Sequence, residues 1–111
     1  MVQVEGSIVI DRPVDEVFDF VADERNEPQY NAQMGRVELI TDGPIGLGTR
    51  FHAEMTGGGR PVEMVIEFTG YDRPRRLSSS THMSSMDLHG ALTFEPVPSG
   101  RTLAALSRNT R

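Results

Sequence analysis

Histidines, carboxylates and glycine-rich segments are the parts of this sequence with the chemistry to act on a substrate or hold an ion. His82 and His89 flank Ser85-Met86. If those two residues form a two-residue hairpin turn, the imidazoles face each other across adjacent strands, close enough to share a proton or ligate one metal ion. Strand alternation, however, puts both with His52 on the face opposite the apolar residues, so they read as surface histidines, with a metal site as the weaker alternative. Glu54, Glu63 and Glu67 alternate onto the same polar face and read as solubilising charge rather than a general acid–base pair. Asp15, Glu16, Asp19 and Asp23 share the solvated face of one helix. The run from Gly43 to Gly48 lies between strands instead of ahead of a helix, and Gly57 to Gly59 lacks the Lys-Ser/Thr of a phosphate loop, so both serve turns. No nucleophile elbow is present. The reading therefore assigns no catalytic residue and no cofactor.

Composition narrows the classes further. Cysteine is absent, which excludes disulfides, thiolate metal sites and thiol nucleophiles. The start has no basic region followed by a long apolar one, and no run approaches the ~18 apolar residues of a membrane span, so a cytoplasmic location is the default. Eleven basic against sixteen acidic residues give a net charge of −5. That repels nucleic acid unless positive charge is gathered in a patch. Arg73, Arg75 and Arg76, or Arg101, Arg108 and Arg111, are the candidates, and neither group is interleaved with aromatic residues, so no nucleic-acid partner is expected.

The elements that must position these residues follow from periodicity. Val2, Val4, Ile8 and Ile10 alternate with Gln3, Glu5 and Ser7, the pattern of a half-buried strand. Asp11-Arg12-Pro13 ends it and starts a helix, with Asp11 or a neighbour as cap and Asp15 and Glu16 at the positive end of the dipole. Val14, Val17, Phe18, Val21 and Ala22 form its apolar stripe. A second, short helix is expected around Pro28 to Ala32. Strands are expected over 36–41, 49–56, 61–71, 77–83, 88–97 and from Thr102 to about Leu106, with a flexible hairpin loop at Gly57 to Gly59. No linker or repeat divides the chain, so residues 1–111 read as one α+β domain.

Four segments carry a family resemblance: Ser7 to Asn31 (SIVIDRPVDEVFDFVADERNEPQYN), Gly43 to Phe51 (GPIGLGTRF), Phe68 to Leu77 (FTGYDRPRRL) and Phe94 to Gly100 (FEPVPSG). With the order of one strand, two helices and six strands, they resemble the polyketide cyclase/dehydrase group of the START-like (SRPBCC, Bet v 1-like) superfamily. The resemblance implies a helix-grip fold, a curved antiparallel sheet of about seven strands with two short helices after the first. Tyr30 stands where many members carry Trp. The family also continues past its last strand into a long helix that closes the cavity, whereas here the sequence reads LSRNTR. The expectation is a C-terminally truncated domain whose long helix is missing. Leu103 to Leu106 leave too little room for a stable helix. The uneven alternation from Arg101 to Ala105 suggests a frameshifted or shortened reading frame.

In the family the ligand lies between sheet and long helix. The resemblance thus makes Tyr30, Phe51, Met55, Met64, Ile66 and Phe68 candidate ligand contacts, together with Ser79, Thr81, Met83, Leu92 and Phe94. Each apolar member of this set serves equally as core. The implied function is non-catalytic binding of a hydrophobic small molecule or lipid. An aromatase/cyclase-type enzyme is the alternative, and an interaction module using the uncovered sheet face is the second. A second copy of the chain is the simplest cover for that face, giving a homodimer.

Overall fold

The computed structural model describes residues 3–56, 60–84 and 86–110. The glycine loop expected at Gly57 to Gly59 lies outside them. Strand β1 (Gln3–Ile10) is followed by helix α1 (Val14–Ala22) and a 3₁₀ helix (Glu24–Gln29). Six strands follow: β2 (Met34–Leu39), β3 (Arg50–Met55), β4 (Val62–Asp72), β5 (Arg76–His82), β6 (Asp87–Pro96) and β7 (Thr102–Thr110). They form one curved antiparallel sheet in the order β1-β7-β6-β5-β4-β3-β2. This is the helix-grip arrangement. No long helix crosses the concave face among the described residues.

α1 begins without the side-chain cap expected of Asp11. Pro13 is the cap residue, held extended at φ −63° and ψ 152°, and its carbonyl accepts from Val17 N–H at 3.0 Å. Asp11 lies two residues too early to reach the free N–H groups, so the first turn relies on Asp15 and Glu16 against the dipole. The helix buries Val17, Phe18 and Ala22. Its outer face is tied to the β4–β5 turn by Arg73, which donates to both Asp19 carboxylate oxygens at 2.6 and 2.8 Å. Those hydrogen bonds hold the Asp19 carboxyl below its usual pKa.

The second helix lies earlier than Pro28 to Ala32. Asp23 caps it: its carboxylate accepts from Arg25 N–H at 3.1 Å and from the Arg25 guanidinium at 2.8 Å. The Asp23 carbonyl takes Asn26 N–H at 2.9 Å. A capping side chain is a stronger start signal than a proline, and Pro28, with no N–H to give, sits in the last turn.

β7 corrects the reading of an irregular tail. It is a continuous strand hydrogen-bonded on both sides, to β1 from Gln3↔Asn109 to Ile10↔Thr102 and to β6 from Leu88↔Thr110 to Pro96↔Thr102. An interior strand tolerates apolar residues on both faces, and this accounts for Leu103-Ala104-Ala105-Leu106. A bulge in β4, between Phe68 and Gly70, brings Tyr71 onto the concave side, where its ring meets Phe18 edge-on at 5.2 Å. The bulge needs a small residue, because a Cβ on Gly70 would come within 3.0 Å of Ser78 Oγ.

The core is a chain of rings. Phe51 stacks near Phe68 at 5.5 Å, Phe68 near Tyr71 at 6.3 Å, Tyr71 against Phe18, and Phe18 edge-on to Phe94 at 5.4 Å. All four phenylalanines are essentially inaccessible to solvent. This cluster fills the part of the concave face that α1 covers.

Candidate binding groove

Beyond the aromatic cluster, the concave face opens into a groove of about 920 Å³. Its floor is a lattice of strand residues. Met55 comes from β3, Met64 and Ile66 from β4, Leu77 from β5, and Leu88 and Leu92 from β6. Ala104 and Leu106 of β7, with Ile8 and Ile10 of β1, complete the apolar floor. Small residues are interspersed among the larger ones: Ser79 pairs with Gly90, and Phe94 with Ala104. Ser79 and Thr81 supply the hydroxyls of the floor.

The wall is chemically different. Val17, Phe20 and Val21 of α1 give it an apolar stretch, and Glu24, Glu27 and Tyr30 follow from the 3₁₀ helix and its C-cap. These last three recur every third residue. A 3₁₀ helix has three residues per turn, so that spacing stacks them on one side. Glu24 is buried, at 9% exposure, and Glu27 accepts from Asn31 Nδ2 at 2.8 Å. Tyr30, about half exposed, has its ring 6.1 Å from that of Phe20. Desolvation first, then the charges of Glu24 and Glu27, push the Tyr30 phenol pKa well up, so it stays a neutral donor through the physiological range. Arg12 and Glu16 flank the mouth, 3.6 Å apart.

Of the residues expected to face a ligand, Tyr30, Met55, Met64, Ile66, Ser79, Thr81, Leu92 and Phe94 do line the groove. Phe51 and Phe68 do not, being sealed in the aromatic cluster. Met83 lies elsewhere, beside a shallow depression with His52, Glu63 and His82. Strand alternation had no means of finding the acidic wall, because the segment after α1 has no apolar period. The usable signal was the acid–acid–tyrosine spacing of three after a capping aspartate. Glu16, expected on the solvated helix face, is exposed but also borders the mouth.

The histidine pair does not form. The closing pairs of the β5–β6 hairpin are His82↔Asp87 and, inside it, Met83 N–H to the Met86 carbonyl at 3.0 Å. The register thus differs from the one a Ser85-Met86 turn would set, and His89 faces Ser80 instead of His82. Each ring has its own partner: His82 Nδ1 lies 3.1 Å from Asp87 Oδ1, and His89 Nδ1 2.9 Å from Ser80 Oγ. His52 Nε2 is 3.3 Å from Glu63 Oε1. Among the described residues, no three His, Asp or Glu side chains converge as metal ligands. No helix among them is long and apolar enough to cross a membrane.

A helix-grip sheet carrying an apolar groove on its concave face defines the class: START-like and Bet v 1-like ligand-cavity folds. The chain belongs to the polyketide cyclase/dehydrase and lipid transport family, whose model matches residues 1–110. Among solved structures, it is similar to BexL, a di-domain ARO/CYC protein, at 24% identity and a TM-score of 0.81. That match covers 100% of this chain and 36% of BexL, so the chain spans little more than a third of that protein. The Zhui aromatase/cyclase from a Streptomyces species matches at 17% identity and a TM-score of 0.81, covering 99% of this chain and 68% of that one. A START superfamily protein from Mycobacterium smegmatis matches at 10% identity and a TM-score of 0.83, covering 98% of this chain and 76% of that one. At these identities the likeness is one of fold. No curated protein matches the sequence.

Proposed function

We propose that residues 1–111 act as a single cytoplasmic domain that holds a hydrophobic small molecule or lipid in the concave groove without transforming it. One observation carries this reading: the floor is apolar over about 920 Å³, a volume in the range of small-molecule sites, while the aromatic cluster beside it is fully packed. Ile8, Ile10, Met55, Leu88, Leu92 and Leu106 keep apolar surface accessible along the groove, and a ligand that removes it from water gains about 25 cal/mol per Å². Ser79 and Thr81 on the floor, with Tyr30 on the wall, provide the few polar groups that orient such a ligand. A second copy of the chain closes the open side of the groove in this reading, consistent with Ile8 at 63% exposure on the edge strand β1.

Native followed by denaturing mass spectrometry tests both parts. A co-purifying small molecule released on denaturation supports carriage, and an apo protein that binds no apolar probe contradicts it. A monomer at low micromolar concentration removes the second copy and leaves the ligand reading intact.

The second reading is cyclisation of a polyketide. Its specific support is Glu24, a buried carboxylate on the groove wall, with the neutral phenol of Tyr30 on the same side of the 3₁₀ helix. Turnover of a linear poly-β-ketone that stops in Glu24→Gln would favour it over carriage.

A further inference from the structure

The two ends of the sheet are finished differently. β2, at one end, has a register shift between Met34 and Val37 and carries the ion pair of Arg36 with Glu38, two devices that blunt a strand edge against further pairing. β1, at the other end, has neither. It pairs with β7 without interruption and contains no Lys, Arg or Pro, and among the described residues no strand lies along its outer side. Such an edge is a template for one more strand.

Exposure at this edge falls on both faces. Ile8 lines the groove and is 63% exposed, while Val9, which alternation turns to the convex face, is 51% exposed. A ligand or protein lying over the concave face covers Ile8 and leaves Val9 in water. A strand added alongside β1 covers both. Gly6 points the same way. Glycine inside a strand weakens it, and Gly35 and Gly70 owe their places to close neighbours, Thr56 and Ser78, on which a Cβ would press. Gly6 has no such neighbour: a Cβ built on it meets no atom within 4 Å among the described residues, and its φ is not positive. Open space over a strand glycine at a bare edge suits the close approach of another chain.

Resting on the second copy in the reading above, we propose that two chains pair antiparallel through β1 about a two-fold axis at Ser7, joining their sheets edge to edge. In that register Ser7 faces Ser7 of the second copy, Ile8 lies over its Gly6, and Val9 lies beside its Glu5. Each Ile8 takes the space that the other chain's glycine leaves, and the two Ile8 side chains are diagonal neighbours on the concave side. The second copy thus contributes to the site, because the apolar floor of each groove continues across the seam. Glu5, the one charged residue of β1, is set against Val9 instead of its own copy, as suits self-association of a chain of net charge −5. The same strand serves both sides, so the contact closes as a dimer.

The chain has no cysteine, so single introduced thiols report the seam. Sedimentation velocity gives the dissociation constant of the wild-type dimer. Ser7→Cys places two thiols directly opposite each other, within the separation a disulfide spans, and mild oxidation is expected to make the dimer covalent. Val9→Cys, which lies about 13 Å along the strands from its own copy, is expected to stay unlinked. Gly6→Val fills the space that Ile8 of the second copy takes and is expected to raise the dissociation constant by about tenfold or more. The monomer, with open space there and a better strand former, unfolds no earlier. A dimer that Ser7→Cys does not link, that Val9→Cys links equally well, or whose affinity Gly6→Val leaves unchanged overturns the β1 seam and leaves a second copy elsewhere on the molecule. A chain that stays monomeric at every concentration overturns the seam and the second copy together, and leaves the ligand reading to its own test.

Discussion

The concave face is divided into two regions built from the same strands but with opposite outcomes. Under α1, Phe18, Phe51, Phe68, Tyr71 and Phe94 meet ring to ring and exclude solvent. Beyond it, Met64, Ile66, Ser79, Thr81, Leu88 and Leu106 occupy equivalent inward positions and surround open space. Individual strands cross the division: β4 gives Phe68 to the core and Met64 to the groove. The difference lies in what faces them: the ring of Phe18 fills the space on one side, while on the other α1 and the 3₁₀ helix form a wall that leaves the groove between it and the floor. Inward orientation alone therefore does not decide whether a side chain is sealed in the ring cluster or borders the groove.

Substitutions on the two sides should therefore behave differently. The largest effect on stability is expected from Phe18→Ala, which removes the ring bridging Tyr71 and Phe94 and leaves a cavity, at a cost of about 3–5 kcal/mol in denaturant unfolding. Asp23→Ala removes the cap of the 3₁₀ helix and should cost about 1 kcal/mol. It should also weaken ligand binding, since that helix and its C-cap Tyr30 form part of the groove wall. Ser79→Leu fills part of the groove floor and is expected to change stability by less than ~1 kcal/mol while weakening binding of an apolar probe by about tenfold or more. If it destabilised the protein as Phe18→Ala does, the two regions would not be distinct.

The smallest effect concerns the Asp19–Arg73 pair, exposed enough for solvent to screen it. Hydrogen bonds from Arg73 depress the Asp19 pKa in the folded state below its ordinary value of 3.8. The pair's contribution is thus fully present above pH 3.8 and is lost as pH falls through the lower folded-state value. Asp19→Asn should slightly lower the midpoint of thermal unfolding at neutral pH and converge with wild type in acid. Equal curves at both pH values would show that the pair contributes nothing.

Much of this division was illegible in the sequence. Period-two alternation correctly placed Phe51, Met64, Ile66 and Phe68 on one face, and the segments from Ser7 to Asn31 and Phe68 to Leu77 pointed to the family that the match over residues 1–110 establishes. Alternation specifies a face and nothing about what lies across from it, so Phe51 and Phe68 were grouped with Met55 and Met64 as ligand contacts. The β4 bulge shifted the phase and hid Tyr71 from the core. The acidic wall is not legible from periodicity because a six-residue 3₁₀ helix has too few residues to show a period against background, and Pro28 is a weaker guide to its start than the Asp23 cap. The hairpin register depended on turn placement, a feature that Ser-Ser-Met gives no strong chemical reason to fix.

In the proposed function the groove half of the face binds a ligand, and the ring cluster beside it is packed core. Titration of wild type and Ser79→Leu with N-phenyl-1-naphthylamine measures it directly. Saturable binding at one dye per groove, weakened by about tenfold or more in Ser79→Leu with the thermal midpoint nearly unchanged, is the result the two-region account predicts. Absence of saturable binding, or equal affinity in the two proteins, would contradict it.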